Sequence, residues 1–440
     1  MELNLLKERL RQCGVVGAGG AGFPAYAKLS AEADTVILNC AECEPLLKLH
    51  RQVLEERTYE ILSALSEILS ATGAKRGIVA LKAHYTEAVQ ALEAEIGDFP
   101  ALSIHKLDSV YPAGDELILI HEVTGRTVAP GNLPITVGVT VCNVETVYNV
   151  YRAIEGHGVT DKYVTVAGAV KKPITLCVPI GTKLSELLAA AGGATEEDVA
   201  YLSGGPMMGG LVSLSDVVTK TTNALLVLPA EHAVIQNKKR NPKIHLRRAM
   251  SVCCQCRSCT ELCSRYLLGY PVEPHLVMRV LSNGGRGDAS VLDGAMFCSG
   301  CGLCETYSCP QGLSPKALIT QMKAEARQNG KKPPVGIKPR EIDRDAIYKK
   351  VSVERLTARL GLQVYDRPAP MEKKFTTDSV KVLLAQHIGA PSVPSVAVGD
   401  TVKKGDVIAT AAKDALSVGL HAPIDGRVTV VNAKYIKIER

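Results

Sequence analysis

Residues 17–28 read Gly-Ala-Gly-Gly-Ala-Gly-Phe-Pro-Ala-Tyr-Ala-Lys, and the first six fit the G-x-G-x-x-G template of a phosphate-cradling loop. In a Rossmann unit a strand runs into that loop, a helix leaves it, and an acidic residue follows about 20 positions later. Upstream of Gly17 stand the amphipathic stretch "MELNLLKERLRQCG" and then only two valines. No strand enters, so the Rossmann reading fails its main test and the loop needs another scaffold.

The chain downstream supplies one. "TVILN" reads as a buried strand, and residues 51–73 read as one long amphipathic helix with Leu54, Ile61, Leu65, Ile68 and Leu69 on one side. "GIVALK" is a strand, "YTEAVQALEAEIG" a helix and "LSIHKL" a strand. This alternation predicts an α/β layer over 1–158 with a mainly parallel sheet. Residues 159–240 are β-rich with one short helix, "KLSELLAAAGG", and predict a small α+β module. Helical pieces carry the cysteines of 241–330, a charged, proline-rich stretch opens a linker over 331–379, and 380–440 reads as a compact all-β module.

At 440 residues the chain exceeds what one hydrophobic core supports. Hydrophobic residues at 46% and charged ones at 22% exclude a disordered chain. Four Phe and no Trp argue against a base-stacking surface, and a net charge of +6 reads as dispersed solvation, so no nucleic-acid partner is expected. No uncharged apolar run approaches the 18 residues of a transmembrane segment, and no secretory signal opens the chain. A cytoplasmic location is expected.

Nine of the 14 cysteines fall between Cys253 and Cys309, a cluster that favours metal binding over disulfides. Cys253, Cys256, Cys259 and Cys263 read C-x2-C-x2-C-x3-C; Cys298, Cys301, Cys304 and Cys309 read C-x2-C-x2-C-x4-C-P. In two-cluster ferredoxins the fourth cysteine of each run ligates the other cluster. That predicts one [4Fe-4S] cluster on Cys253, Cys256, Cys259 and Cys309, and a second on Cys298, Cys301, Cys304 and Cys263. The alternative is a pair of structural zincs, which would leave the third cysteine of each run idle.

Four segments around the loop are informative together. The first supplies Gly17, Gly19, Gly20, Gly22, Phe23 and Lys28; "ILNCAECEP" supplies Asn39, Glu42, Glu44 and Pro45. "YPAGDE" supplies Tyr111, Gly114 and Glu116, and "VCNVETVYN" supplies Asn143, Glu145 and Thr146. The set resembles the flavin-binding subunit shared by respiratory complex I and the RnfC proteins. The resemblance implies an FMN whose phosphate is cradled by main-chain N–H groups of the glycine loop. It implies Lys28 beside the phosphate or ring, and Glu44 and Phe23 beside the nicotinamide nucleotide of NADH, the electron donor. Ala18, Ala41 and Cys142 stand where complex I proteins carry an arginine, an acidic residue and an asparagine, which draws the site toward RnfC. No side chain is expected to act as nucleophile or general base.

By the same resemblance, 159–240, with "SGGPMMGG" inside it, is an SLBB-like β-grasp domain acting as a packing and docking unit, its glycine-rich loop a plain turn. The tail, marked by "HIGAPSVPSVAVGDTVKKGD", is similar to a lipoyl-type barrel sandwich. A carrier lysine would fall near Ala415, so the barrel is expected to be unmodified. RnfC proteins carry this barrel first; here it comes last, which resembles the order of PduS-type cobalamin reductases of propanediol-utilisation microcompartments. That implies cobalamin, or a cobalamin-handling enzyme, as acceptor and microcompartment shell or cargo proteins as neighbours. Two other readings stay open: an RnfC-type subunit of a membrane ferredoxin:NAD oxidoreductase, and a non-enzymatic electron relay.

Overall fold

The computed structural model describes residues 1–342, 344–372 and 375–440. The expected linker therefore includes positions 343, 373 and 374, which lie outside the described residues.

The N-terminal layer runs α1 (Leu3–Gln12), α2 (Ala25–Lys28), β1 (Thr35–Cys40), α3 (Leu49–Glu56), α4 (Thr58–Thr72), β2 (Arg76–Lys82), α5 (Thr86–Glu95), β3 (Leu102–Leu107), β4 (Val110–Tyr111), α6 (Glu116–Thr124), β5 (Val139–Asn143) and α7 (Val144–Ile154). β3-β2-β1-β5 form a wholly parallel sheet. Val36, Ile37 and Leu38 are fully buried, as a strand covered by helices on both faces requires. The single helix expected over 51–73 is two. Arg57 leaves helical geometry at φ −135° and places its guanidinium 5.6 Å from the Tyr148 ring centroid. The Thr58 hydroxyl donates to Leu54 O at 2.7 Å, so the apolar stripe continues across a break that periodicity does not register.

β6 (Asp161–Gly168), β7 (Ile174–Pro179), α8 (Leu184–Ala190), β8 (Val199–Ser203), β9 (Gly210–Val212) and β10 (Ala224–Pro229) build the second sheet, with β10 parallel to β6 and antiparallel to β8. Segment 331–379 does more than link. β11 (Val351–Ser352) pairs with β4, and β12 (Met371–Glu372) adds an edge to β7. Leu356, Leu360 and Leu362 enter one apolar core with Leu226, Leu228, Tyr111 and Leu303. Both halves of the segment are rich in charge, so composition conceals the few leucines that reach the core.

Helices Pro242–Val252, Pro274–Ser282 and Pro315–Gln328 pack Ala249, Met278 and Leu318, with Leu313 of the preceding loop, against Cys309. The tail folds as two small sheets closed over Val380, Val382, Ile408, Val428 and Ile436. Among the described residues no helix is long and apolar enough to cross a membrane.

Lys220 fastens three of these parts. Its buried Nζ donates to Gly14 O at 2.5 Å and Gly419 O at 3.2 Å, and its N–H donates to Gln386 Oε1 at 2.9 Å. Burial pushes its pKa down to about 7, with Cys13 pulling the other way. The unfolded chain therefore holds a proton that the native chain lacks between pH 7 and the ordinary lysine range. Stability should rise with pH from 7 to 9, by at most about 2.7 kcal/mol at 1.36 kcal/mol per unit. Lys220→Met should flatten that rise in thermal melts; an unchanged slope would refute the assignment.

Candidate functional site

The glycine loop is tied at its ends and open in its middle. Gly17 N–H donates to Phe23 O at 2.9 Å, Ala25 N–H to Val15 O at 3.1 Å, and Ala18 N–H to Thr146 Oγ1 at 2.9 Å. Gly19, Gly20 and Ala21 stay exposed beside a cavity of about 490 Å³ that Asn39, at the C-terminal end of β1, and Asn143, at that of β5, also line. The carboxyl edge of a parallel sheet is where such folds bind ligands, and this volume suits a cofactor. A Cβ on Gly19 would stand 2.6 Å from Asn143 Nδ2, so glycine keeps the cradle open. Lys28, Glu116, Phe23 and Thr146 line the same space. Lys28 Nζ donates to Glu116 Oε1 at 2.8 Å and Val141 O at 3.4 Å. Burial draws the Lys28 pKa down, but the charge and hydrogen bond of Glu116, with Cys142 behind them, leave it raised. The open glycine cradle and held cation fit a phosphorylated flavin.

A second cavity, of about 420 Å³, shares Gly19, Gly20, Asn39, Gly114 and Asn143 with the first and runs on to Glu42, Glu44, Tyr111 and Cys301. Asn39 joins its walls: its Nδ2 donates to Gly114 O at 3.0 Å and its Oδ1 accepts from Ala41 N–H at 3.0 Å. Burial pushes Glu42 up to about 7 against the pull of Arg51, and pushes neighbouring His50 down to about 3. The imidazole is neutral, 3.2 Å from Asn143 Nδ2. At Gly114 a Cβ would lie 2.6 Å from the Ala41 carbonyl oxygen, a backbone atom that cannot swing aside. Gly114→Ala should cut the flavin retained on purification about tenfold, a cost near 1.4 kcal/mol, with iron content unchanged. Equal flavin and iron content in variant and wild type would sink this.

Three expected contacts come out differently. Glu44 lines the second cavity, yet its carboxylate accepts from Met207 N–H at 2.9 Å and Met208 N–H at 2.8 Å. It clamps the loop of the second sheet rather than facing an open nucleotide seat. Glu145 lies away from both cavities, buried in an ion pair with Lys162 and accepting from Tyr163 N–H at 3.1 Å. Helical spacing explains this: Asn143, the N-cap of α7, and Thr146, three positions on, share the cavity side, and Val144 and Glu145 between them turn elsewhere. Tyr111 donates its hydroxyl to Cys301 O at 2.6 Å, acting as a strut to the thiols.

The loop over 204–209, expected to be a plain turn, is a junction. Lys316 Nζ donates to Met207 O and Lys238 Nζ to Gly209 O, both at 2.6 Å. A Cβ on Gly205 would meet Glu44 Oε2 at 2.1 Å. The glycine-rich "SGGPMMGG" was the signal for that close approach. Nothing local announced Arg265, whose guanidinium forks onto Asp115 at 2.8 Å and ties the thiol region to the first residues of α6.

The thiols gather in two groups. Burial raises the Cys259 pKa to about 12, with Cys309, Cys256 and Cys253 as the neighbouring thiols. Burial likewise raises Cys263, beside Cys301 and Cys298, and Cys304, beside Glu305, Cys298, Cys301 and Cys263. The last cysteine of each run thus sits with the other run. Such thiols ionise when a metal takes the proton's place. Gly300 N–H approaches Cys298 Sγ, Leu313 N–H approaches Cys309 Sγ and Gln255 Nε2 approaches Cys253 Sγ, each at 3.4 Å; amides so placed tune cluster potential. Among the described residues no three His, Cys, Asp or Glu side chains converge as a single-ion site. Tetrahedral zinc would hold its sulfurs within about 3.8 Å of one another, whereas a cubane keeps them apart by its own width. Two groups of four thiols, each drawn from both runs, fit two cubane clusters.

Family comparisons agree part by part. The Nuo51 FMN-binding domain matches residues 10–152, the SLBB domain 163–210, the 4Fe-4S dicluster domain 252–314 and the RnfC barrel sandwich hybrid domain 364–439. The air-oxidised NAD⁺-reducing [NiFe]-hydrogenase shares the fold, with a TM-score of 0.51 at 20% identity over 83% of this chain and 68% of that one. The molecule is a flavo-iron–sulfur electron-transfer reductase that carries FMN and two [4Fe-4S] clusters. One component of the Na⁺-translocating ferredoxin:NAD⁺ oxidoreductase complex of Acetobacterium woodii is 33% identical over 260 residues, 58% of each chain. Cobalamin reductase PduS is 43% identical over 438 residues in Salmonella typhimurium and 44% over 439 in Citrobacter freundii, with 99% of this chain and 96% of each relative covered. The chain belongs to the PduS cobalamin reductase family.

Proposed function

We propose that this chain takes electrons from NADH and delivers them one at a time to a corrinoid, the acceptor its relatives' name describes. The observation that carries the reading is the wall shared by the two cavities, which leads from the glycine loop to Cys301. Bound FMN supplies the exchange between a hydride's electron pair and single electrons, and the clusters carry the singles. The chain's part is placement. Gly17, Gly19, Gly20 and Gly22 shape the cradle, and Thr146 and Asn143 brace it. Lys28, held by Glu116, faces the cofactor's charge, and Phe23 bounds the seat. Asn39, Gly114 and Glu42 shape the passage onward, and Tyr111 and Glu44 hold the thiol region and the 204–209 loop against it.

Cys298, Cys301, Cys304 and Cys263 hold the cluster nearer the flavin, because Cys301 lines the passage. Cys253, Cys256, Cys259 and Cys309 hold the farther one. A cytoplasmic place inside a microcompartment, beside shell or cargo proteins, extends the reading from the domain order.

Anaerobic reconstitution with FMN, iron and sulfide, followed by NADH-driven reduction of cobalamin, ferredoxin and a dye, tests it. Cobalamin reduction at the highest rate is expected. Ferredoxin outpacing cobalamin would move the chain to the RnfC-type reading, and intact clusters without flavin or NADH oxidation to the relay reading.

A further inference from the structure

The net charge of +6 is not dispersed. Residues 236–260 contain seven basic side chains and no acidic one, so the rest of the chain is close to neutral. Within this stretch helix Pro242–Val252 runs directly into Cys253, whose N–H donates to Ala249 O at 3.2 Å. Lys239, Lys243 and Arg247 are exposed, and no carboxylate lies within 4.0 Å of them among the described residues. Along the same helix Ile244, Met250 and Val252 stand open, the last two 60% and 47% exposed. Beside the helix a cleft of about 250 Å³ gathers Arg240, Arg248 and Arg359, with Glu305 as its one acid. Arg248 Nη1 is buried there without a hydrogen-bond partner.

The position of this face gives it meaning. Cys304 and Cys309 are buried, whereas Cys256 and the spare Cys254 are exposed, so the farther thiol group meets solvent where the basic helix ends. An electron held by the farther thiol group can leave the chain there. Exposed apolar side chains set among cations on one helix suit a partner with the opposite sign, and charge complementarity steers its approach.

We infer that helix Pro242–Val252 and the adjoining Arg240–Arg248–Arg359 cleft dock an electron-accepting protein whose contact face is acidic around an apolar centre. The inference rests on the two-cluster reading above and adds that the terminal acceptor is reached on a protein rather than as a free small molecule. Each reduced cluster gives one electron; the partner's one-electron centre takes it, and no proton moves.

The test uses the full chain with FMN and both clusters, reduced by dithionite, freed of excess reductant and mixed with acceptor in a stopped-flow cell. Rubredoxin serves as the acidic probe, cytochrome c as the basic probe and aquocobalamin as the free corrinoid. The rubredoxin rate should fall steeply with added salt. Lys243→Glu combined with Arg247→Glu should lower it at least tenfold and raise the cytochrome c rate, leaving aquocobalamin unaffected. Equal loss with aquocobalamin would assign the face to a free corrinoid and overturn the inference. So would an unchanged rubredoxin rate in the double variant, or a short RNA that blocks the wild type but not the variant. Flavin reduction by NADH is read separately, so its failure would sink the proposed function while leaving the docking result interpretable.

Discussion

Cys301→Ser is expected to leave NADH-driven flavin bleaching at the wild-type rate and to slow onward transfer to any acceptor by about 100-fold or more. Loss of a mere outer-shell partner at a metal site costs 10–100-fold, and this change removes a proposed ligand itself. The substitution is clean because the contact that anchors this segment, Tyr111 Oη to Cys301 O, is to the backbone and survives it. Cys301 also lines the cavity beside Gly19 and Gly20, and on that ground the proposed path puts it first in line from the flavin. Stopped-flow absorbance separates the two phases in one trace. If flavin reduction slowed equally, the order flavin–cluster–acceptor would be wrong; if neither slowed, Cys301 would hold no cluster.

Lys162→Met should destabilise the chain by about 3–5 kcal/mol, because it strands the Glu145 carboxylate in the interior. Both partners are nearly inaccessible, at 1% each, and the pair joins α7 of the flavin-binding layer to β6 of the second sheet. Adding Glu145→Gln should restore most of the loss, since a buried pair replaced whole is often near neutral. Thermal melts of holoprotein decide this, and flavin content supplies a second reading. If Glu145 faced the cofactor instead, the single variant would lose flavin without losing stability.

The thiol runs and the four-segment flavin signature were legible in the sequence because their chemistry is written at short spacings. Cysteines three positions apart can wrap a cluster from one turn of chain, and a glycine cradle needs its glycines within a few positions of one another. The parallel sheet was legible too, from fully apolar strands alternating with amphipathic helices. The break at Arg57 was not, since an apolar stripe of period 3.6 continues across it. Asn39, Glu42 and Glu44 read alike as cofactor contacts; the fold turned Asn39 into a brace between loops and gave Glu44 to Met207 and Met208, more than 160 positions away.

By itself the amino-acid order determined the two thiol runs and the glycine loop, because these are local patterns of residue type, and the resemblance of four segments pointed from them to FMN. Tertiary structure alone decided what stands between them. The Tyr111–Cys301, Asp115–Arg265 and Glu44–Met207 contacts each join residues at least 150 positions apart. Such pairs are chosen by how packed cores bring surfaces together, and hydrogen bonds formed across that distance leave no periodic trace along the chain. The basic helix divides between the two: its charge and its run into Cys253 are plain in sequence, whereas the exposure of Cys254 and Cys256 beside it is a property of the fold.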